Sequence, residues 1–401
     1  KTQKFSIYQY ILKGKSMERL YFSEEHKMLQ EMVRDFAKNE VAPIAQEIDE
    51  KGAFPHDTIK KMGELGLMGI PWSEEYGGTG MDLTAQCIAI EEIAKVCVST
   101  AATMMAHTSL GTAPIYMFGT EEQKRKYIPK LASGEMLGAF GLTEPDAGSD
   151  AANTQTRAVL TGNEYVVNGR KAFCTNAGFA GVIIFTAVLV EDGEDKGISA
   201  FLVDAGTDGL SFDPPEKKMG WRASDTRSVY FDNMRIPKEN VLGDPSGGFK
   251  QFLRTLTSGR ITIGALSIGT AAGAYELALK YSVEREAFGK AINRFQGVSF
   301  TLADMATRIQ ASRHLVYHAA WLKDNNFPVI KEAAMGKLFA SETAMWVTTQ
   351  AIQVHGGYGY IKEYDVERFF RDAKVLEIGE GTSEVQRIII SREILKGINA
   401  A

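Results

Sequence analysis

The stretch Thr154–Gly169, TQTRAVLTGNEYVVNG, alternates apolar and polar residues on both sides of a Gly-Asn pair. This pattern predicts a β-hairpin with a tight turn. Three further runs rich in Val, Ile and Phe follow it: GVIIFTAVLV, GISAFLVD and TRSVYFDNMRI. Such runs are typical of strands. The chain is therefore predicted to carry a compact β domain at its centre.

On either side of this domain the pattern is helical. In residues 17–138, Ser23 is a predicted helix cap, and Leu29, Val33 and Phe36 follow at helical spacing. The β domain is predicted over 139–247, and 248–401 is predicted to be helical again. In that last block we expect helices at 250–286, 296–323, 328–354 and 382–396, with a loop-rich stretch over 356–381. The fold class is thus mainly α with a central β domain, without the βαβ alternation or GxGxxG of a Rossmann fold.

Composition narrows the possible partners and metals. A formal net charge of -5 over 401 residues argues against a nucleic-acid surface. Three cysteines without CxxC spacing favour a reducing compartment, and no disulfide framework or zinc site is expected. His314 and His318 lie four apart but lack a third ligand, so no metal is predicted.

Two segments bear on location. The apolar run from Ile261, ITIGALSIGTAAGAY, is short for a membrane span and is predicted to be a buried helix that packs through its glycines. No membrane insertion is expected. Residues 1–16 are predicted to be a tag or an extension before Met17, with a weak presequence as the alternative. The bacterial cytoplasm is the preferred location, and the mitochondrial matrix is the alternative.

Five short stretches could carry chemistry, and each also has an ordinary structural interpretation. GLTEPDAGSD (141–150) is a turn able to hold a phosphate or a ring edge, or simply a loop that opens the β domain. GRKAFCTNAG (169–178) places Phe173 and Thr175 on one side of a strand, facing a flat ligand or a sheet core. YSVEREAFGK (281–290) brings Arg285 and Phe288 to one helix end, for a phosphate or for solvent.

The last two stretches are rich in glycine. QVHGGYGY (353–360) allows close backbone approach to a ligand, although a helix C-cap explains Gly356 equally well. VLEIGEGTSEVQR (375–387) sets Glu380 between two glycines, which lets a ligand reach its carboxylate. Thr382 and Ser383 can cap the helix that follows.

Taken in order, these stretches resemble the acyl-CoA dehydrogenase family, most closely its short-chain members, over residues 22–395. The resemblance implies an N-terminal helical domain, a middle β-barrel-like domain, a C-terminal four-helix bundle, bound FAD and a homotetramer. It also implies residue roles. The flavin ring would be held by Phe140, Leu142, Thr143, Ser149, Phe173 and Thr175. The rest of FAD would be bound by Arg285, Phe288, Gln296, Gln353, Gly356, Gly357, Thr382 and Glu384. The substrate would contact Ser149, Arg260, Gly379 and Gly381.

The resemblance further implies that Glu380 is the catalytic base. It would take the α-proton of a short-chain acyl-CoA while the β-hydrogen leaves as hydride to flavin N5, giving the trans-2-enoyl-CoA. The backbone N–H of Glu380 and a ribityl hydroxyl would polarise the thioester carbonyl. Electrons would pass to an electron-transfer flavoprotein. Some family members carry the base just before the equivalent of Arg260, where this chain has Gly259.

Other functions stay open from the sequence. Many family members have tyrosine before the base, and Gly379 at that position leaves room for a branched, cyclic or dicarboxylic acyl group. A flavin acyl-CoA oxidase of the same fold is a second alternative. A non-catalytic acyl-CoA-binding module is a third, from a different functional class.

Overall fold

The computed structural model describes residues 18–399, so the predicted extension over 1–16 lies outside the described residues. From residue 18 onward the N-terminal block forms eight α-helices: α1 Glu18–Tyr21, α2 Glu24–Phe36, α3 Ala45–Lys51, α4 His56–Glu64, α5 Leu83–Ala94, α6 Val98–Ala106, α7 Ala113–Phe118 and α8 Glu121–Ala132. The predicted Ser23 cap of α2 is confirmed, because its side chain accepts from the His26 N–H at 3.2 Å. A π-helical turn, His107–Thr112, joins α6 to α7.

The central block forms seven strands: β1 Leu137–Gly141, β2 Arg157–Thr161, β3 Glu164–Thr175, β4 Ala180–Glu191, β5 Glu194–Asp204, β6 Leu210–Phe212 and β7 Thr226–Pro237. The predicted hairpin is confirmed as β2–β3, with Thr161 paired to Glu164 across the turn. Gly162 has φ 65° there, a conformation that glycine adopts without steric cost.

The seven strands form one mixed sheet. Strand β4 pairs with β1 and β2 in parallel on one edge and with β5 in antiparallel on the other. Both of its faces are covered: Ile183 and Phe185 pack within the sheet core, while Val182 and Ile184 pack in a cluster with residues of α8. A strand buried on two faces needs continuous rather than alternating apolar residues, which explains the run GVIIFTAVLV.

The C-terminal block forms α9 Gly248–Glu284, the short hairpin β8 Glu286–Ala287 and β9 Lys290–Ala291, α10 Gln296–Asp324, α11 Ile330–His355, α12 Val366–Ala373 and α13 Ser383–Asn399. Helix α9 has 37 residues and, among the described helices, is the one long and apolar enough to cross a membrane, yet 83% of its apolar window is buried in the protein. Its predicted close packing is confirmed: a Cβ at Gly273 would lie 2.3 Å from the Lys95 carbonyl oxygen.

One apolar core joins the N- and C-terminal helices, with contributions from Phe22 through Leu376. The predicted α-β-α order is therefore confirmed, and the two helical blocks share their interior. Three details of the prediction were wrong. Strands β1 and β6 were not expected, helix α9 ends at Glu284 rather than 286, and α12 lies inside the stretch predicted to be loop.

Candidate active site

Glu380 lies in the short connection between a 3-10 turn, Lys374–Glu377, and helix α13. Its φ is 52° and that of Gly381 is 95°, so two consecutive residues adopt left-handed backbone conformations. Such a conformation is uncommon for a glutamate and persists only where the surroundings enforce it. The glycine after Glu380 is therefore a conformational requirement of this connection.

The carboxylate and the backbone N–H of Glu380 are unpaired among the described residues. Both carboxylate oxygens are buried, although the residue as a whole is partly exposed, and neither has a hydrogen-bond partner among the described residues. Within the described part of the chain its backbone N–H also has no acceptor. Buried polar groups are normally paired, and exceptions concentrate at functional sites. Glu380 thus presents a free donor and a free acceptor to whatever binds beside it.

Helix α9 forms one wall of this site. A Cβ placed on Gly259 would lie 2.1 Å from Oε2 of Glu380 and 3.5 Å from Cδ2 of Leu110. Any side chain at position 259 would therefore displace the carboxylate. The glycine is needed because Glu380 lies directly against the helix backbone.

The electrostatics of the site favour a neutral carboxyl group. Burial raises the pKa of Glu380 to about 7, against the opposing effect of the Arg260 and Lys337 charges. Arg260 is only 5% exposed, and its Nε has no partner among the described residues. Burial likewise lowers the pKa of Lys337 to about 8. A carboxyl group with a pKa near neutrality is well matched to taking a proton at physiological pH.

The glycines flanking Glu380 are not equivalent. A Cβ on Gly379 would meet only the Val375 carbonyl oxygen, at 3.4 Å, which is close to ordinary contact. A Cβ on Gly381 would lie 2.8 Å from Nε2 of Gln386, and the backbone there has a positive φ. Position 379 can therefore accept a small side chain, whereas position 381 cannot do so without strain.

Strand β1 and the loop after it carry the first group of predicted flavin contacts. Phe140 stacks on Phe252 with ring centroids 4.3 Å apart. Leu142 and Thr143 are partly buried, and Ser149 is exposed. The Thr143 carbonyl oxygen accepts from the Ala172 N–H at 2.8 Å, so this loop lies directly beside β3.

Strand β3 carries the second group and departs from regular geometry. The β3–β7 register shifts between Lys171 and Cys174, and Phe173 adopts φ 55°. The prediction that Phe173 and Thr175 face the same side assumed a regular strand. The structure has a bulge here instead, so that assumption was wrong. The alternation of burial nevertheless continues, with Phe173 67% exposed, Cys174 buried and Thr175 partly buried. A large exposed aromatic ring next to the loop is available to a flat ligand.

A buried ion pair that the sequence did not reveal connects these two segments. Lys171 is fully buried, and its Nζ donates to Oε1 of Glu144 at 2.7 Å and to the Leu142 carbonyl oxygen at 3.2 Å. Oε2 of Glu144 in turn accepts from the Gln155 N–H at 2.6 Å. Burial alone would raise the pKa of Glu144, but the Lys171 charge and the Gln155 N–H bring it below its usual range.

Three of the eight residues predicted to bind the rest of FAD line a separate cleft. Its lining includes Arg285, Gly356 and Gly357, and its volume is about 470 Å³. Arg285 follows the last residue of α9 and stands over the Tyr358 ring at 5.7 Å. Tyr281, His355 and Tyr358 also line the cleft, and the prediction missed them.

Four further predicted residues lie on the surface. Phe288 is 95% exposed at the tip of the β8–β9 hairpin, so the expectation that it shares a helix end with Arg285 was wrong. Gln296 begins α10, Gln353 lies in the last turn of α11, and both are exposed. Glu384 is also exposed, in the first turn of α13.

The remaining predicted residue, Thr382, lies between the Glu380 connection and α13. Its Oγ1 accepts from the Val385 N–H at 3.3 Å, so its side chain caps the start of that helix.

The fold and this site define a class: an enzyme of helical, sheet and helical blocks with a buried, unpaired carboxylate in the connection before its last helix. Models of the N-terminal, middle and C-terminal domains of acyl-CoA dehydrogenase match residues 23–135, 139–234 and 246–395. The chain belongs to the acyl-CoA dehydrogenase family.

Three similar proteins illustrate the relationship. The short-chain-specific acyl-CoA dehydrogenase of Clostridium acetobutylicum is 49% identical over 374 residues, covering 93% of this chain and 99% of that protein. The solved butyryl-CoA dehydrogenase of Megasphaera elsdenii has a TM-score of 0.90 and 41% identity, covering 93% of this chain and 98% of that one. A chain in the structure described as the electron transferring flavoprotein of Acidaminococcus fermentans has a TM-score of 0.91 and 47% identity, with the same coverage.

Proposed function

We propose that this chain is an FAD-dependent dehydrogenase of short-chain acyl-CoA thioesters, producing the trans-2-enoyl-CoA and passing electrons to an electron-transfer flavoprotein. One observation carries the proposal: Glu380 holds an unpaired buried carboxylate and an unpaired backbone N–H at one place. Family membership and the names of similar proteins support the substrate class and the electron acceptor.

The chemistry of this chain rests on Glu380. With a pKa of about 7, a substantial fraction of the carboxyl group is ionised at neutral pH and able to take the α-proton. Its N–H is a suitable donor to the thioester carbonyl oxygen, which gains negative charge as the proton leaves. Arg260 and Lys337 add positive charge near the same place. Both carboxylate oxygens are buried from water, and Oε2 lies directly against helix α9 at Gly259.

FAD supplies the acceptor for the β-hydrogen as hydride and the route for electrons to the partner flavoprotein. The residues of this chain fit that group. Phe173 offers an exposed aromatic face beside the loop of Thr143, and the cleft with Arg285 offers a cation and two exposed glycines to a diphosphate. Arg is well suited to bidentate phosphate contact. We propose the predicted flavin, nucleotide and substrate contacts on these grounds.

Assembly, domain boundaries and location are further parts of the proposal. The C-terminal helices expose several large apolar side chains, which supports a homotetramer that buries them. They include Phe300 on α10 and Ile388, Ile394 and Leu395 on α13. The proposed domains are 17–138, 139–247 and 248–401. No insertion in a membrane is proposed, and the bacterial cytoplasm is preferred over the mitochondrial matrix because relatives such as the Clostridium enzyme are bacterial.

The test is an anaerobic titration of the purified protein with a panel of acyl-CoAs, followed through the flavin absorbance. Butyryl-CoA is expected to bleach the wild-type flavin, and the Glu380→Gln variant is expected to bind it without bleaching. Bleaching only by branched or dicarboxylic thioesters would replace the short-chain assignment. A protein without flavin, or one unmoved by every acyl-CoA, would overturn the proposed function. Hydrogen peroxide release in air without an added acceptor would indicate an oxidase.

A further inference from the structure

The left-handed connection that carries Glu380 needs an explanation in its surroundings. Two adjacent residues with positive φ, one of them a glutamate, are held there against their intrinsic preference. Gly259 explains why the carboxylate has room, but it does not hold the backbone. Whatever fixes this backbone also fixes the base.

Two buried side chains from different helices hold it through hydrogen bonds. The Gly381 carbonyl oxygen accepts from Nζ of Lys337 and from Nε2 of Gln386, each at 2.9 Å. The same amide group of Gln386 also lies 3.3 Å from the Glu380 carbonyl oxygen, as a donor. Both side chains are fully buried. Lys337 comes from α11 and Gln386 from α13, so the connection is held between two helices.

Lys337 is an unusual residue to find in this position. Burying an ammonium group is costly unless a carboxylate pairs with it. Among the described residues Lys337 has a hydrogen bond to a backbone oxygen and no carboxylate within ion-pair distance. Glu380, Glu377 and Glu342 are the acidic groups that act on it electrostatically, and Arg260 opposes them. A residue that served packing alone would not need a charge here.

We propose that Lys337 is a positioning residue for the dehydrogenation: through its hydrogen bond to Gly381 it holds the Glu380 connection in its left-handed form, and its charge favours the ionised base. This proposal rests on the proposed function, since it assumes that Glu380 removes the α-proton. Gln386 shares the first task but carries no charge.

The structure also indicates which charged groups set the behaviour of Glu380 with pH. Arg260 faces it from α9 and Lys337 faces it from α11, and both lower its pKa against the larger opposing effect of burial. Loss of the Lys337 charge is therefore expected to raise the pKa of Glu380. Because the ionised form is the base, the pH at which the reaction becomes fast is expected to move upward.

The experiment uses the FAD-loaded protein and butyryl-CoA in anaerobic stopped-flow, between pH 5.5 and 9. Lys337→Met is expected to lower the limiting rate of flavin reduction by about 100-fold, the scale expected for a displaced reacting group. Butyryl-CoA affinity and bound FAD are expected to stay within about 3-fold of wild type, since Lys337 acts through the Glu380 connection. The rate profile is expected to move to higher pH. Lys337→Arg, which keeps the charge, is expected to recover most of the rate and the original profile.

Matched variants distinguish a positioning role of Lys337 from a nonspecific loss of structure. Lys331→Met removes a lysine of the same helix whose side chain is 41% exposed, and it is expected to behave as wild type. Gln386→Leu is expected to lower the rate without moving the profile upward, and it keeps the proposal testable if Lys337→Met does not fold.

Two results would overturn the positioning role. One is a wild-type rate of flavin reduction in Lys337→Met. If that variant does not fold, a wild-type rate in Gln386→Leu counts in its place. The other is a slow Lys337→Met protein with an unmoved profile and no recovery by arginine. A wild-type flavin that no acyl-CoA reduces would instead overturn the proposed function, and this inference with it.

Discussion

Two glutamates with buried carboxylate groups, Glu144 and Glu380, each lie near a buried lysine, but their hydrogen bonding is opposite. Glu144 accepts from Nζ of Lys171 at 2.7 Å and from two backbone N–H groups, those of Gln155 and Thr156. The carboxylate of Glu380 accepts no hydrogen bond from the described residues. The first carboxylate has a pKa below its usual range, whereas burial raises the pKa of the second to about 7.

This contrast shows how one chain uses the same residue type for two purposes. A carboxylate whose lone pairs are satisfied stabilises the ionised form and cannot easily take a proton. A carboxylate buried without partners is destabilised as an ion and becomes a better base, at some expense of stability. In both cases the lysine also donates to a backbone carbonyl oxygen, Leu142 for Lys171 and Gly381 for Lys337. Only the paired lysine makes the direct salt bridge.

The largest expected effect comes from removing the unpaired carboxylate of Glu380, the proposed base. Glu380→Gln should lower the rate of flavin reduction by about 10⁴-fold, at the upper end of the range for loss of a general base, because the amide cannot accept the α-proton. Stopped-flow reduction by butyryl-CoA measures the rate, and a binding titration checks that affinity survives. Retention of more than a tenth of the wild-type rate would remove Glu380 from the mechanism.

The next largest effect is expected on stability, from breaking the ion pair between Lys171 and Glu144. Lys171→Met should destabilise the protein by about 3–5 kcal/mol, because it leaves Glu144 buried without its cation. Denaturant unfolding at matched FAD and protein concentrations measures the change. The double variant Glu144→Gln with Lys171→Met should recover much of the loss, since it removes both charges and keeps an acceptor for the Gln155 N–H. A loss under about 1 kcal/mol in the single variant would mean that the pair is dispensable.

Glu380→Gln is expected to increase the stability of the protein, by less than Lys171→Met decreases it. The pKa of Glu380 is raised from 4.5 to about 7, so wild type loses stability as pH rises through this window. Glu380→Gln avoids that loss and should be more stable than wild type at pH 8 by at most about 3 kcal/mol. The gain should vanish below about pH 4.5. Unfolding curves at pH 8 and in mild acid test it, with the exposed Glu122→Gln as control. An equal gain at both pH values would contradict ionisation of the buried carboxyl group as its cause.

The smallest effect is expected next to the base. Gly379→Ala adds a methyl group that meets only the Val375 carbonyl oxygen at 3.4 Å, so reduction by butyryl-CoA should change by less than about 3-fold. The same methyl at Gly259 would lie 2.1 Å from the Glu380 carboxylate, which makes Gly259→Ala the contrasting control. A comparison of straight and branched acyl-CoAs on Gly379→Ala also shows whether the open space serves the substrate. Equal rates in the two glycine variants would contradict the geometry.

Much of the fold could be predicted because its signals are local. Alternation gave the β2–β3 hairpin, and helical spacing gave the long helices α9, α10 and α11. Helix α12 was missed because its sequence, VERFFRDA, is rich in charged residues, and three of them, Arg368, Arg371 and Asp372, make hydrogen bonds across the fold. Arg371, for example, donates to Asp49 at 2.7 Å. Strand β1 was missed because five residues containing two glycines carry no alternation; it is defined by its parallel pairing with β4.

The residues of the candidate site likewise divide into those that the sequence could indicate and those that it could not. Glu380 could be singled out because glycines flank it in the sequence itself. Lys171, Lys337 and Gln386 carried no comparable signal, since each acts on a residue that lies far away in the chain or through a buried hydrogen bond. Phe288 was wrongly predicted at a helix end because the helical pattern does not show where the short hairpin of β8 and β9 begins.

The fit between Gly259 and Glu380 also constrains how such an enzyme can change over generations. A side chain at 259 and an inward carboxylate at 380 compete for the same volume, with only 2.1 Å between them. On the proposal that Glu380 is the base, moving the base from position 380 to position 259 would need two substitutions. Made one at a time, they pass through a form with no base or a form with two acids forced together. Single substitutions therefore cannot readily move the proposed base between positions 259 and 380.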